Sequence, residues 1–235
     1  MDKVWVRYLK KPRLRKPIVI AAAQGLRSVG KAAVEYLVKE LKPRPRLFAE
    51  LYCVDFCVEY LGPSYLGYPG LAGAEVVEGV AALPRIKFYW HDKPELIITD
   101  GYQALYSSQY RVARRVAELY AELGARLIIS LGAHVAGKGV QCLSSDRQLV
   151  VEMKKHGIEI TKTEKFIGFS GLVLMAGKKL GIPALGLLAE TTPAENPEAP
   201  DPRASKALLE KLGEILGVEI DTSRLVREEE PAYIL

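Results

Sequence analysis

The residues best spaced for chemistry lie in Gly25-Leu26-Arg27-Ser28-Val29-Gly30-Lys31, which reads G-x-x-x-x-G-K and follows the apolar run Ile18 to Ala23. In such a setting the glycines let the backbone approach an anion, the helix that follows presents its first amides, and the lysine neutralises phosphate charge. Gly25, Ser28, Gly30 and Lys31 are therefore a candidate anion-binding turn, with ATP or phosphate as the ligand class. The pattern departs from a phosphate loop at Ala32, where a serine or threonine hydroxyl would ligate magnesium. Glu95 to Asp100, an apolar run ending in an acid, has the form of a metal-supporting strand. The competing reading is a tight strand-to-helix turn whose glycines allow close packing.

A second glycine-rich stretch runs from Gly132 to Gly139 behind another apolar strand. Gly132, His134, Gly137 and Lys138 could contact an anion at the carboxyl edge of a sheet, or the stretch could be a mobile loop. His91, His134 and His156 lie far apart and lack neighbours at ligand spacing, so no metal site is expected. Cys53, Cys57 and Cys142 match neither a zinc pattern nor a paired framework and read as buried thiols, the first two on one strand face. Ser130, Ser144, Ser145 and Ser170 stand outside any G-x-S-x-G elbow, and Ser170 is expected to cap a helix. No catalytic residue is assigned.

These residues must be held by elements whose period is legible. Strands are expected at Val4 to Leu9, Ile18 to Ala23, Leu47 to Phe56, Arg85 to Trp90, Leu96 to Thr99, Leu127 to Leu131 and Ala184 to Ala189. Continuous apolar runs among them imply burial on both faces. Helices are expected over Ser28 to Leu41, with Ser28 as cap, over Tyr106 to Leu123 before Gly124, and over Gly171 to Leu180. A fourth is expected between Asp201, an N-cap followed by Pro202 at the first helical position, and Gly217. The alternation predicts one α/β domain over 1–235, a three-layer αβα arrangement with a mainly parallel sheet. Leu61 to Ala74 and Thr192 to Pro200 read as a surface loop and a stiff connection, and 226–235 as a C-terminal tail.

Composition narrows the setting. The net charge of +5 traces to Lys10, Lys11, Arg13, Arg15 and Lys16, a cluster without interleaved aromatic residues, which argues against nucleic acid and for a solvated connection between strands. No apolar run is long enough to span a membrane, so a cytoplasmic protein is expected. Asparagine occurs once, at Asn196, while Lys, Arg and Glu abound, a bias that fits a thermophilic source.

Several segments together carry a family resemblance: the strand before Gly25, Gly30 and Lys31, the turn Leu131-Gly132-Ala133, the run Ile167 to Leu174, Leu187-Leu188-Ala189-Glu190-Thr191, and Asp201 to Leu209. In these the chain resembles the archaeal branch of the proteasome-assembly-chaperone type-two family, which has also been linked to the ATP-grasp superfamily. The resemblance implies a fold like that of the nucleoside phosphorylases, self-association into homo-oligomers, and a non-catalytic role holding proteasome α subunits. The ATP-grasp link implies instead an enzyme using ATP and magnesium, for which no set of acidic ligands is legible. Relatives that activate proteasomes end in a hydrophobic residue, tyrosine and any residue. Here the chain ends Ala232-Tyr233-Ile234-Leu235, with the tyrosine one place early. Tyr233, Ile234 and Leu235 are accordingly the candidate partner-binding tail; the competing reading folds Ile234 and Leu235 back onto their own domain or a neighbouring subunit.

Overall fold

A computed structural model describes residues 4–56, 59–60, 70–71, 73–192 and 199–225. In chain order the first elements are β1 (Val4–Tyr8), β2 (Ile18–Ala22), α1 (Val29–Glu40) and β3 (Arg46–Cys53). Two short pairs follow, β4 (Glu59–Tyr60) with β5 (Gly70–Leu71) and β6 (Glu75–Val77) with β7 (Val80–Ala82). Then come β8 (Ile86–His91), β9 (Leu96–Asp100), α2 (Tyr106–Glu122), β10 (Leu127–His134), β11 (Val140–Ser144) and α3 (Arg147–Lys155). The described chain closes with β12 (Glu159–Ile160), α4 (Gly168–Lys179), β13 (Ala184–Glu190) and α5 (Pro202–Leu216).

Nine strands form one sheet in the order β1-β3-β8-β9-β2-β10-β13-β11-β12. The centre, β9-β2-β10-β13, is parallel throughout. The wing β1-β3-β8 joins β9 antiparallel, and β11 joins β13 antiparallel. The α/β, three-layer expectation holds, with the parallel arrangement concentrated where strands are covered on both faces.

That double cover follows from the residues. In β2, Val19 and Ala21 enter one core while Ile18, Ile20 and Ala22 enter the other, as a period of two requires. The first core is roofed by α2 and α4 through Val112, Val116, Tyr120, Phe169 and Val173. The second is roofed by α1 and α5 through Val34, Leu37, Leu208 and Leu212. Each fully buried Leu or Ile contributes about 1.5–3 kcal/mol over exposure, so both faces hold the central strands rigid. The basic cluster at 10–16 lies in the connection between β1 and β2, where Glu95 accepts from the backbone amides of Arg15 and Lys16.

Helix ends match the sequence unevenly. Asp201 caps α5 by accepting from the Ala204 amide at 3.1 Å, Pro202 opens that helix, and Gly217 ends it in the left-handed region. Ser28 stands at the N-cap of α1 but its side chain makes no cap bond, because its own backbone is left-handed (φ 48°). Ser170 caps nothing: α4 begins two residues earlier, and the Ser170 hydroxyl donates to the Leu131 carbonyl at 3.2 Å. Helix α3 and strands β4 to β7, β11 and β12 have no counterpart among the expected elements; β5 falls inside the segment read as a surface loop, and α3 is short and buries only Met153. Cys53, the last residue of β3, and Cys142 are both buried, while Cys57 lies outside the described residues. Most of Leu61 to Ala74, 193–198 and the tail 226–235 lie outside them too.

Candidate functional site

Strand β2 ends at Ala22, and the next residues turn through a short 3-10 segment, Leu26–Ser28, into α1. Gly25 is extended there (φ −171°), and a Cβ added to it would meet nothing within 4 Å. Gly30 is different. A Cβ at that position would stand 2.5 Å from the Leu131 carbonyl oxygen, so the glycine lets α1 lie against the end of β10. One glycine of the motif thus opens space and the other closes it.

The space is a cleft of about 410 Å³ at the carboxyl ends of β2 and β10, where open α/β sheets bind ligands. Its walls include Leu26, Leu131, Phe166 and Ile167, with Gly25, Gly30 and Gly132 on the backbone side. Polar groups there are few and mostly engaged. Gln103 Nε2 donates to the Gln24 carbonyl at 2.7 Å, and its Oε1 accepts from the Phe169 amide at 3.2 Å. Arg27, also in the lining, donates to the Ala199 and Pro200 carbonyls, both at 3.0 Å, and pairs with Asp201 at 3.3 Å. It thereby fastens the approach to α5 onto the β2–α1 turn.

Lys31 does not line the cleft. Its ammonium donates to Asp100 at the end of β9 and to the Gly101 carbonyl at 3.2 Å, with Glu35 at 3.5 Å. Lys87 approaches the other Asp100 oxygen at 3.8 Å. The two features read as a phosphate-binding lysine and a metal-supporting acid are therefore joined to each other in an internal charge cluster. Ser28 likewise lies off the cleft, leaving Gly25 and Gly30 as the lining members of the first turn.

Of the second glycine-rich stretch, only Gly132 and the neighbouring Ala133 and Val135 reach the cleft. Strand β10 runs on through His134, so the loop proper begins at Val135. His134 is buried, and its Nε2 donates to the Gly139 carbonyl at 3.1 Å, a carbonyl that can only accept. Its Nδ1 has no partner among the described residues. Gly137 is left-handed (φ 111°) and lies directly over the buried Gln141 side chain, where a Cβ would stand 2.0 Å from Nε2. Lys138 is exposed. Tyr233, Ile234 and Leu235 lie outside the described residues. Among the described residues no three His, Cys, Asp or Glu side chains converge on a metal position, and no helix is long and apolar enough to cross a membrane.

Residues 163–167, which wall the cleft through Thr163, Lys165, Phe166 and Ile167, carry no sequence signal of their own. They are placed by Gly171: a Cβ there would fall 1.7 Å from the Phe166 carbonyl oxygen, so only glycine lets the segment fold back onto α4. The Gly168-Phe169-Ser170-Gly171 run was the available hint.

The comparisons agree with this architecture. The chain is similar to protein MJ1210 of Methanocaldococcus jannaschii, 29% identical over 221 residues that cover 90% of this chain and 78% of that one. Among solved structures it is similar to Pyrococcus furiosus PbaB, described as an archaeal proteasome activator, at TM-score 0.79 and 27% identity, covering 97% of this chain and 95% of that one. Pyrococcus furiosus PbaA, described as an archaeal homolog of proteasome-assembly chaperone, shares the fold at TM-score 0.74 and 23% identity over 95% and 91% of the two chains. The model of the PAC2 family matches residues 19–232, nearly the whole length. This chain belongs to the PAC2 family.

Proposed function

We propose that the chain acts without catalysis, as a cytoplasmic homo-oligomeric chaperone or adaptor that holds proteasome α subunits. The observation that carries this reading is the likeness to PbaB across almost the full length of both chains. The internal pairing of Lys31 with Asp100 and of Arg27 with Asp201 supports it, because the charges nearest the strand ends serve the fold. Tyr233, Ile234 and Leu235 are the tail residues for docking, with apolar and aromatic side chains that suit capture in a pocket between subunits.

Co-elution of the purified chain with α subunits from its own source tests this. The full chain should co-elute, and a chain lacking Pro231 to Leu235 should not. Retention after truncation would move the contact to the folded surface, whereas no co-elution of either form would sink the reading.

The alternative, an ATP- or phosphate-binding enzyme, draws on the cleft beside Gly25 and Gly132. It requires Lys31 to leave Asp100. Thermal stabilisation by ATP or phosphate that disappears in Lys31→Ala would favour it.

A further inference from the structure

The cleft at the carboxyl ends of β2 and β10 is walled chiefly by apolar side chains, Leu26, Leu131, Val135, Phe166 and Ile167. Its volume of about 410 Å³ falls in the range of small-molecule sites. Two polar groups in it stand out. Lys165 lines the cleft, is exposed and forms no ion pair among the described residues. Arg27, the other cation of the lining, is held by Asp201 and by carbonyls. Gln24 lines the interior, and its Oε1 is sealed from solvent with no hydrogen-bond partner.

A buried amide oxygen left unpaired carries a desolvation penalty that nothing offsets. The last torsion of a glutamine is soft, so the amide can turn to present Oε1 to a ligand donor in the cleft, with Nε2 taking the sealed position. A phosphate ester suits these walls poorly, because a dianion would lie against aliphatic and aromatic carbon with one cation at the rim.

We propose that this cleft binds a small, chiefly apolar carboxylic acid bearing a hydroxyl beside its carboxylate. The apolar body fills the space between Leu131 and Phe166, the carboxylate faces Lys165, and the hydroxyl donates to Gln24 Oε1. Binding here is independent of any contact with the proteasome.

The test is calorimetric titration of the full-length protein with 3-phenyllactate, 2-hydroxyisocaproate and 3-phenylpropionate, with ATP and inorganic phosphate run alongside. The hydroxy acids should saturate a single site per chain, and ATP and phosphate should not. Gln24→Met should weaken 3-phenyllactate about tenfold while changing 3-phenylpropionate, which lacks the hydroxyl, less than about twofold. Lys165→Gln should weaken all three acids. Gly25→Leu should abolish binding while the circular dichroism spectrum stays that of the parent, since the extended backbone at Gly25 accepts a side chain and only the cleft is filled. Failure of every acid to saturate at about 10 mM, well above a useful affinity, would overturn the proposal. So would binding that survives Gly25→Leu, or saturation by ATP or phosphate in place of the acids.

Discussion

Lys31, in the first turn of α1, donates to the carboxylate of Asp100, the last residue of β9. Both side chains are largely buried, at 15% and 9% exposure. The pair ties the helix after β2 to the strand beside β2, and it takes up the cation that the G-x-x-x-x-G-K spacing would otherwise offer to an anion.

Lys31→Met should destabilise the protein by about 2–4 kcal/mol, because among the described residues it leaves the buried carboxylate with only Lys87 at 3.8 Å. Adding Asp100→Asn should recover part of that loss, since the uncompensated charge goes with it. Urea unfolding of the two single variants and the double variant reads both numbers. Additive losses would mean that the pair is not coupled.

The two glycines of the motif should respond in opposite ways to alanine. Gly30→Ala drives a methyl toward the Leu131 carbonyl and should cost about 1–3 kcal/mol. Gly25→Ala meets open space on an extended backbone and should be neutral or stabilise by up to about 1 kcal/mol, through reduced freedom of the unfolded chain. Thermal unfolding of the two variants distinguishes them.

Arg27→Ala should loosen one region more than the whole. The lost bonds run to Thr192, Ala199, Pro200 and Asp201, so amide exchange should quicken at 199–205 and at the start of α5, with the central strands unchanged. Uniformly faster exchange would show that the clamp supports the global fold instead.

Alkali should unfold the protein through its buried phenols. Burial, and after it the nearby Asp100 carboxylate, pushes Tyr89 up to about 12. Complete burial raises Tyr120 as well, against the lesser opposing effect of its 2.6 Å hydrogen bond to Thr99 Oγ1. A phenol raised in the fold is protonated in both states below the ordinary value near 10. As pH climbs past 10 the unfolded chain loses its proton first, so stability falls from about pH 10 upward. Tyr89→Phe should flatten that fall between pH 10 and 12. Tyr120→Phe should also flatten it, and at neutral pH should cost about 1 kcal/mol for the hydrogen bond lost to Thr99. Chemical unfolding across pH 8 to 12 is the measurement.

Much of the fold was legible because burial on two faces writes itself into a strand directly. Ile18 to Ala22 and Leu96 to Ile98 are apolar without alternation, and both lie in the centre of the sheet, paired parallel to each other. Caps were legible where one local bond defines them, as at Asp201, and not at Ser28, where a left-handed backbone turns the side chain from the helix. Helix α3 escaped notice because it rests on the sheet edge and buries a single side chain.

The sequence by itself determined which residues face a core, where most strands and helices begin and end, and the family resemblance, because periodicity and end signals act over a few neighbouring residues. Tertiary structure alone decided that Lys31 meets Asp100, 69 residues away, and that Gly25 faces a cleft while Gly30 faces Leu131. It also decided that 163–167 walls the cleft and that the sheet's wings run antiparallel. Each depends on which strand lies beside which, and strand order is set by the packing of both cores at once, which spacing along one chain does not record.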